Sequence, residues 1–128
     1  MEYKEYGIAR RYAEQLATQM RKGLLSYLVL LIARTPVNPS DIIRHLHEAG
    51  MTVVEGTIYP LLLRLQRDGL LKHEWRDNPE GPARKFYTTT ELGMAVTVEL
   101  QKEMRVLIKA IRNLEKETVM INKGAKEE

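Results

Sequence analysis

Basic side chains cluster in two stretches of the chain, and both could bind phosphate groups. The first, VVEGTIYPLLLRLQRDGLL (53–71), carries two arginines behind an opening of compact or hydroxylated residues. The second surrounds the turn sequence DNPEGP (77–82). Lysine and arginine neutralise phosphates, and compact residues let a helix approach base edges. The candidate nucleic-acid contacts are Gly56, Thr57, Tyr59, Pro60, Arg64, Arg67, Arg76, Arg84 and Lys85. The same charges would also suit an ordinary solvated surface.

Residues that catalyse reactions or bind metal ions are either missing or badly spaced. The sequence has no cysteine, which excludes thiolate catalysis and cysteine-based zinc sites. His45 and His47 are two residues apart, so on a helix they would point about 160° away from each other. Ser26, Ser40 and Glu55 suggest no catalytic triad, and no glycine-rich phosphate loop is present. The sequence therefore predicts no enzyme activity, no metal site and no cofactor.

Length and charge describe a small protein with a mild positive charge. The 128 residues favour one domain, and the formal net charge is +3. This balance is compatible with a nucleic-acid partner, although many proteins that bind none share it. No apolar run approaches about 18 residues, which predicts no membrane span. The start MEYKEYGIARRY lacks the apolar core of a signal peptide, so we expect a cytoplasmic location.

Helical periodicity predicts two α-helices in the first quarter of the chain. Apolar residues recur at intervals of three and four over residues 3–21. Gly23 predicts a break or a bend, which bounds an N-terminal helix (1–22) expected to pack on a dimer interface. The next run, LLSYLVLLIAR (24–34), is apolar nearly all round, as is typical of a helix buried in a core.

Capping residues bound a short helix over the next segment. Asn38 can act as the N-cap, Pro39 suits the first helical position, and Asp41 favours the positive end of the helix. Gly50 is a typical C-terminal stop.

The stretch 53–71 predicts a third helix over about 55–68, which we call the reader helix. Its inward face would consist of Ile58, Leu61, Leu62 and Leu65. Pro60 is tolerable because the carbonyl that it leaves without a donor belongs to Gly56, in the adaptable first turn. Gly69 suits the left-handed position that ends a helix.

A β-hairpin follows, formed by LLKHEWR (70–76) and ARKFYTT (83–89) around the turn sequence. Three helices and a hairpin are the order of a winged helix-turn-helix domain (23–89), with the hairpin as the wing. The predicted fold is mainly α with a small two-stranded β wing. The rival interpretation is a winged helix that docks on an acidic protein. Such a module should expose an apolar patch, for which Leu63 is the candidate.

A long final helix (90–122) is predicted, with Thr88 and Glu91 at capping-box spacing and a frayed tail over 123–128. Its apolar residues recur at intervals of 4, 3, 4 and 3, which is typical of a coiled-coil seam. The seam consists of Leu100, Met104, Leu107, Ile111 and Leu114. We predict a homodimer through this seam; the alternative is packing within one chain.

The strings EGTIYPLLLRLQRDGLL and GPARKFYTTTELG resemble the PadR family of bacterial and archaeal transcriptional regulators. The resemblance covers about residues 24–93. It implies a homodimeric winged-helix repressor that binds inverted-repeat double-stranded DNA operators. It also implies that Thr57, Tyr59 and Arg64 belong to the DNA-reading surface and Arg84 and Lys85 to the wing. The chain departs from the family pattern at Leu63, where a polar or basic residue is common, and near Pro39-Ser40.

Two further expectations concern aromatic residues. Trp75, the only tryptophan, is predicted to pack the wing against a dimer helix or the base of the reader helix, with stacking on a ligand as the alternative. Some relatives hold flat aromatic effectors with an aromatic residue of the final helix, but here that helix has none over 90–122. The sequence also allows a small-molecule effector as a partner, but it does not specify the chemistry of that effector.

Overall fold

The computed structural model describes the backbone over residues 3–127 and the side chains over 5–117. The elements are α1 (Tyr3–Ile32), α2 (Pro39–Glu48), α3 (Glu55–Arg67), β1 (Leu71–Arg76), β2 (Arg84–Thr89) and α4 (Glu91–Glu127). The chain divides into two compact units, Met1–Met94 and Ala95–Glu128. The first unit contains the core, the hairpin and the first turn of α4. None of the described helices is both long and apolar enough to cross a membrane.

Helix α1 is continuous through Gly23, so the predicted break there is wrong. A glycine inside a helix costs about 0.5–1 kcal/mol relative to alanine, which packing of the neighbouring turns can offset. The C-terminal half of α1 supplies that packing, since Leu25, Val29 and Leu30 are buried. The N-terminal half is exposed and presents Tyr6, Ile8, Tyr12, Leu16 and Met20.

Helix α2 begins and ends as its sequence predicts. The backbone N–H of Asp41 donates a 2.8 Å hydrogen bond to the side-chain oxygen of Asn38. At the other end Gly50 has a φ of 101°, in the left-handed region. The N–H groups of Gly50 and Met51 donate back to the carbonyls of His47 and Leu46, at 3.0 and 2.8 Å. This pair of bonds is the Schellman motif, which satisfies carbonyls at a helix end.

Helix α3 is the predicted reader helix, and its inward face is the predicted one. Ile58, Leu61, Leu62 and Leu65 are all buried. The first turn is tight: the N–H groups of Thr57 and Ile58 both donate to the carbonyl of Val54, at 3.0 and 3.3 Å. Gly69, with a φ of 79°, ends the helix as predicted. The Leu70 N–H then donates to the Leu65 carbonyl at 2.9 Å.

The hairpin is antiparallel, with a register that runs from Leu71 opposite Thr89 to Arg76 opposite Arg84. Only the base of the hairpin enters the core. There the buried Thr89 hydroxyl donates a 2.8 Å hydrogen bond to the Leu30 carbonyl of α1. Tyr87 and Val37 exchange backbone hydrogen bonds of 2.7 and 3.0 Å. These bonds attach the base of the wing to α1 and to the segment before α2, whereas its far end projects outward.

Helix α4 is capped by Thr90, so the predicted capping box of Thr88 and Glu91 is wrong. The Gly93 N–H donates a 3.0 Å hydrogen bond to the Thr90 hydroxyl, and Thr88 instead pairs with Lys72 in the hairpin. The helix continues to Glu127, beyond the predicted end at residue 122. The side chains of the predicted frayed tail (123–128) lie outside the described residues.

Gly93 lies where α4 passes close to the end of α3, and we expect Gly93→Ala to destabilise the fold. A Cβ atom there would overlap the Leu70 carbonyl oxygen and approach the Thr89 methyl group to 2.7 Å. Overpacking of this kind costs about 1–3 kcal/mol. Urea denaturation at fixed protein concentration measures the change in the free energy of unfolding.

Gly23→Ala is the matched control for Gly93→Ala. Apart from its chain neighbours and the nearby backbone of α1, no described atom lies within 4 Å of a Cβ at Gly23. Alanine should therefore stabilise the protein there by about 0.5–1 kcal/mol. Equal effects of the two substitutions would contradict the close packing at Gly93.

Candidate nucleic-acid interface

An open cavity of about 550 Å³ lies within the first unit, between the wing, the reader helix α3 and the start of α2. Its lining consists of Asn38, Pro39, Ser40, Tyr59, Leu63, Trp75, Arg84, Lys85 and Tyr87. The structure therefore brings three of the predicted contacts, Tyr59, Arg84 and Lys85, to one concave surface. No carboxylate belongs to this lining. The cavity combines apolar walls with two cations, an environment that favours an anionic partner with apolar parts.

Of the two wing cations of this cavity, Lys85 is held by aromatic rings, and neither Lys85 nor Arg84 has an acidic partner among the described residues. The Lys85 ammonium lies 6.0 Å from the ring centre of Trp75 and 5.2 Å from that of Tyr87. Cation–π contacts at this range orient a charge without neutralising it. Among the described residues no carboxylate lies within ion-pair distance of Arg84 or Lys85. Both charges are available to an external phosphate.

Of the two arginines of α3, Arg64 is the more available. It is exposed, and no carboxylate of the described residues forms an ion pair with it. Arg67 lies 3.9 Å from the Asp68 carboxylate and is also exposed. Exposed ion pairs contribute little free energy, so Arg67 can exchange this partner for a phosphate. On α2, by contrast, hydrogen bonds to Asp41 and Glu48 raise the pKa of Arg44 and pair its charge.

Arg76, predicted to contact phosphate, is already engaged within the wing. Its guanidinium donates hydrogen bonds of 2.9 and 2.6 Å to one carboxylate oxygen of Glu74. The same guanidinium lies 4.5 Å from the ring centre of Phe86. Arg76 would have to leave this carboxylate before it could hold a phosphate.

The first turn of α3 lies beside two further surface depressions, which are separate from the cavity. Gly56 lines one with Ser40 and Ile43 of α2. Thr57 lines another with Arg21 and Lys22 of α1. Arg21 and Lys22 were not predicted from the sequence to lie beside α3, because a break at Gly23 would have separated them from the helices of the core. Pro60 is exposed on the outward face of α3 and lines none of these depressions.

Trp75 does not pack on the base of its own reader helix, so that part of the prediction is wrong. Its side chain is 64% exposed, although Leu71 on the same face of β1 is buried. The reason is distance along the strand, because β1 leaves the core after Leu71 and carries Trp75 beyond it. Trp75 instead forms a wall of the cavity together with Leu63 and Tyr59.

The histidines of the described chain do not form a metal site. Within the described residues no group of three His, Asp or Glu side chains could hold a metal ion. His73 shares a 2.8 Å hydrogen bond with the side-chain oxygen of Gln66. That contact ties the wing strand β1 to α3 and helps to fix the wing beside the reader helix.

The chain forms three helices followed by an antiparallel hairpin, and both the third helix and the hairpin carry basic residues. This arrangement defines a winged helix-turn-helix protein. The sequence profile of the transcriptional regulator PadR-like family matches residues 28–102. The transcriptional regulator Rv3488 of Mycobacterium tuberculosis is 34% identical over 79 residues, which are 62% of this chain and 73% of that protein.

Solved structures agree with the sequence profile. A PadR-like transcription factor from Bacteroides fragilis is 42% identical with a TM-score of 0.66, and the match covers 78% of this chain and 98% of that one. A PadR family transcriptional regulator from Eggerthella lenta is 30% identical with a TM-score of 0.77, covering 84% and 95%. The chain belongs to the PadR-like family of transcriptional regulators, a family of regulators and not of enzymes.

Proposed function

We propose that this regulator is a sequence-specific DNA-binding protein that acts as a homodimeric repressor on an inverted-repeat operator. The observation that carries the proposal is the concave surface between α3 and the wing. Arg84 and Lys85 of β2 line its cavity and no acidic side chain does, while α3 beside it carries the exposed Arg64. A DNA strand presents the complementary charge.

Phosphate contacts would supply most of the affinity. We assign them to Arg64, Arg67, Arg76, Arg84 and Lys85, with Arg76 conditional on its release from Glu74. Neutralised phosphates release counterions, so binding should weaken steeply as the salt concentration rises. Thr57, Tyr59 and the backbone beside Gly56 and Pro60 would approach base edges in the major groove, since the exposed opening of α3 is compact.

The final helix supports the dimer. Over its described part, Leu107, Ile111 and Leu114 of the seam are each about half exposed or more, while Leu100 and Met104 are half-buried. An exposed apolar face of this length is typical of a protein interface, and we propose that it contacts a second copy of the chain. Two-fold symmetry would place two reader helices about one DNA turn apart.

The exposed half of α1 would pack on the same dimer interface. Its apolar residues, named above, are solvent-exposed in the single chain, as expected of a surface that a partner covers. An effector would act by favouring a dimer geometry with the wrong half-site spacing. A regulator of this kind would work in the cytoplasm, where the operator lies.

One observation favours a second candidate function, a winged helix that docks on a protein. The cavity carries an exposed apolar patch, which we define as Tyr59, Leu63 and Trp75. Protein interfaces are enriched in aromatic residues of this kind. The patch is nevertheless bordered by cations, so the protein partner would need an acidic surface, and its binding would not depend on DNA sequence.

Selection from random double-stranded DNA with the full-length protein tests the proposed function. We expect enrichment of an inverted repeat whose half-sites are separated by about one helical turn. Recovery of sequences without a common motif would contradict sequence-specific binding and favour the protein-docking alternative.

A further inference from the structure

The apolar patch of the cavity exposes apolar surface that phosphate binding does not use. Tyr59 is 45% exposed, Leu63 59% and Trp75 64%. Two of these residues belong to α3 and one to β1, yet all three line one cavity. A surface built only to hold phosphates would carry polar side chains at these positions.

Leu63 in particular has no role in the core. The buried face of α3 is complete without it, since Ile58, Leu61, Leu62 and Leu65 are each 5% exposed or less. Leu63 lies on the outward side of the helix, one turn after Tyr59 and beside Arg64. An exposed leucine between cations indicates contact with an apolar group on an otherwise anionic partner.

Charge and shape together select the partner. Arg84 and Lys85 border the cavity and no acidic side chain lines it, so the cavity suits an anionic partner, which under the proposed function is DNA. In the major groove of DNA, the one apolar group that projects from the base edges is the C5 methyl group of thymine. Leucine is a suitable contact for a methyl group because burying both removes apolar surface from water.

We propose that Leu63 reads a thymine C5 methyl group in each operator half-site, with Tyr59 and Trp75 forming the apolar wall around it. This inference rests on the proposed function and adds a specificity-determining residue to it. Tyr59 and Trp75 shield the contact from water, whereas Leu63 provides the contact itself.

The test uses the DNA selected above, synthesised with deoxyuridine in place of thymidine at one symmetric pair of positions at a time. Deoxyuridine lacks only the methyl group. Removal of the methyl group that Leu63 contacts should weaken binding about fourfold per half-site and about 15-fold for a symmetric pair. Leu63→Ala should weaken binding to the thymidine operator and remove the difference between the two DNAs at that pair. Fluorescence anisotropy measures both dissociation constants.

Leu92→Ala is the matched control, because Leu92 is 57% exposed and does not line the cavity. The Leu92→Ala protein should retain the full preference for the thymidine operator over the deoxyuridine operator. Specific binding without a methyl effect at any position, or with an equal effect in Leu63→Ala, would overturn the role of Leu63 and leave the proposed function intact. Failure to select any site would overturn the proposed function and this inference with it.

Discussion

Replacing Arg64 and Arg84 together with alanine is expected to weaken operator binding about a thousandfold while leaving the fold intact. Both side chains are exposed, and no carboxylate of the described chain pairs with either of them. A dimer would lose four phosphate contacts, at about 1 kcal/mol each. The plot of log affinity against log salt concentration should become less steep by about 3.6. Fluorescence anisotropy over a series of salt concentrations gives both quantities.

A charge-matched control separates local contacts from net charge. Lys109 and Arg112, both exposed on α4 and outside the seam, can be replaced with alanine to remove the same number of charges. This variant should keep nearly all of the affinity and the salt dependence. Equal losses in the two variants would show that the protein binds DNA only through its overall charge, and would count against a specific surface on α3 and the wing.

Replacing Leu107 and Ile111 together with glutamate is expected to give a monomer that binds operator poorly. Both side chains lie on the predicted seam and are about half exposed in the single chain. Carboxylates buried between two helices would lose their hydration without gaining a partner, which costs several kcal/mol. Light scattering measures the molar mass, and anisotropy measures the loss of affinity when the two half-sites are no longer bound together.

The control for this variant places two carboxylates on the same helix away from the seam. Gln101→Glu and Asn113→Glu are suitable, since both residues are exposed and neither belongs to the seam. The control protein should remain a dimer. If the Leu107→Glu, Ile111→Glu protein also remained dimeric, the assignment of the seam would be wrong, and the interface would have to lie elsewhere.

Local signals in the sequence predicted the helix-turn-helix segment well. The helix ends depend on Asn38, Gly50 and Gly69. Each of these residues forms hydrogen bonds with residues a few positions away, so a short stretch of sequence predicts the helix end. The buried face of α3 followed from the periodicity of four apolar residues. The hairpin followed from its turn sequence. In each case the determinant lies within a few residues of the structure that it specifies.

The wrong predictions all concern longer-range effects. Gly23 predicted a break, but the buried turns that follow it keep α1 continuous. Thr88 and Thr90 have the same side chain, and only the length of the hairpin decides which of them precedes α4. Trp75 was expected to be packed, because the sequence does not show where β1 leaves the core. The cavity itself joins α2, α3 and the wing, so no single stretch of sequence could reveal it.

The most direct test of sequence-specific DNA binding is fluorescence anisotropy with DNA from immediately upstream of the gene, compared with a scrambled duplex of the same composition. The two duplexes carry equal charge, so only base contacts and sequence-dependent DNA shape can separate them. We predict a preference for the natural duplex of about 10³-fold or more, with strong salt dependence for both. Weak and equal binding to the two duplexes would contradict an autoregulatory operator, and the same result with DNA selected from random sequences would contradict sequence-specific binding altogether.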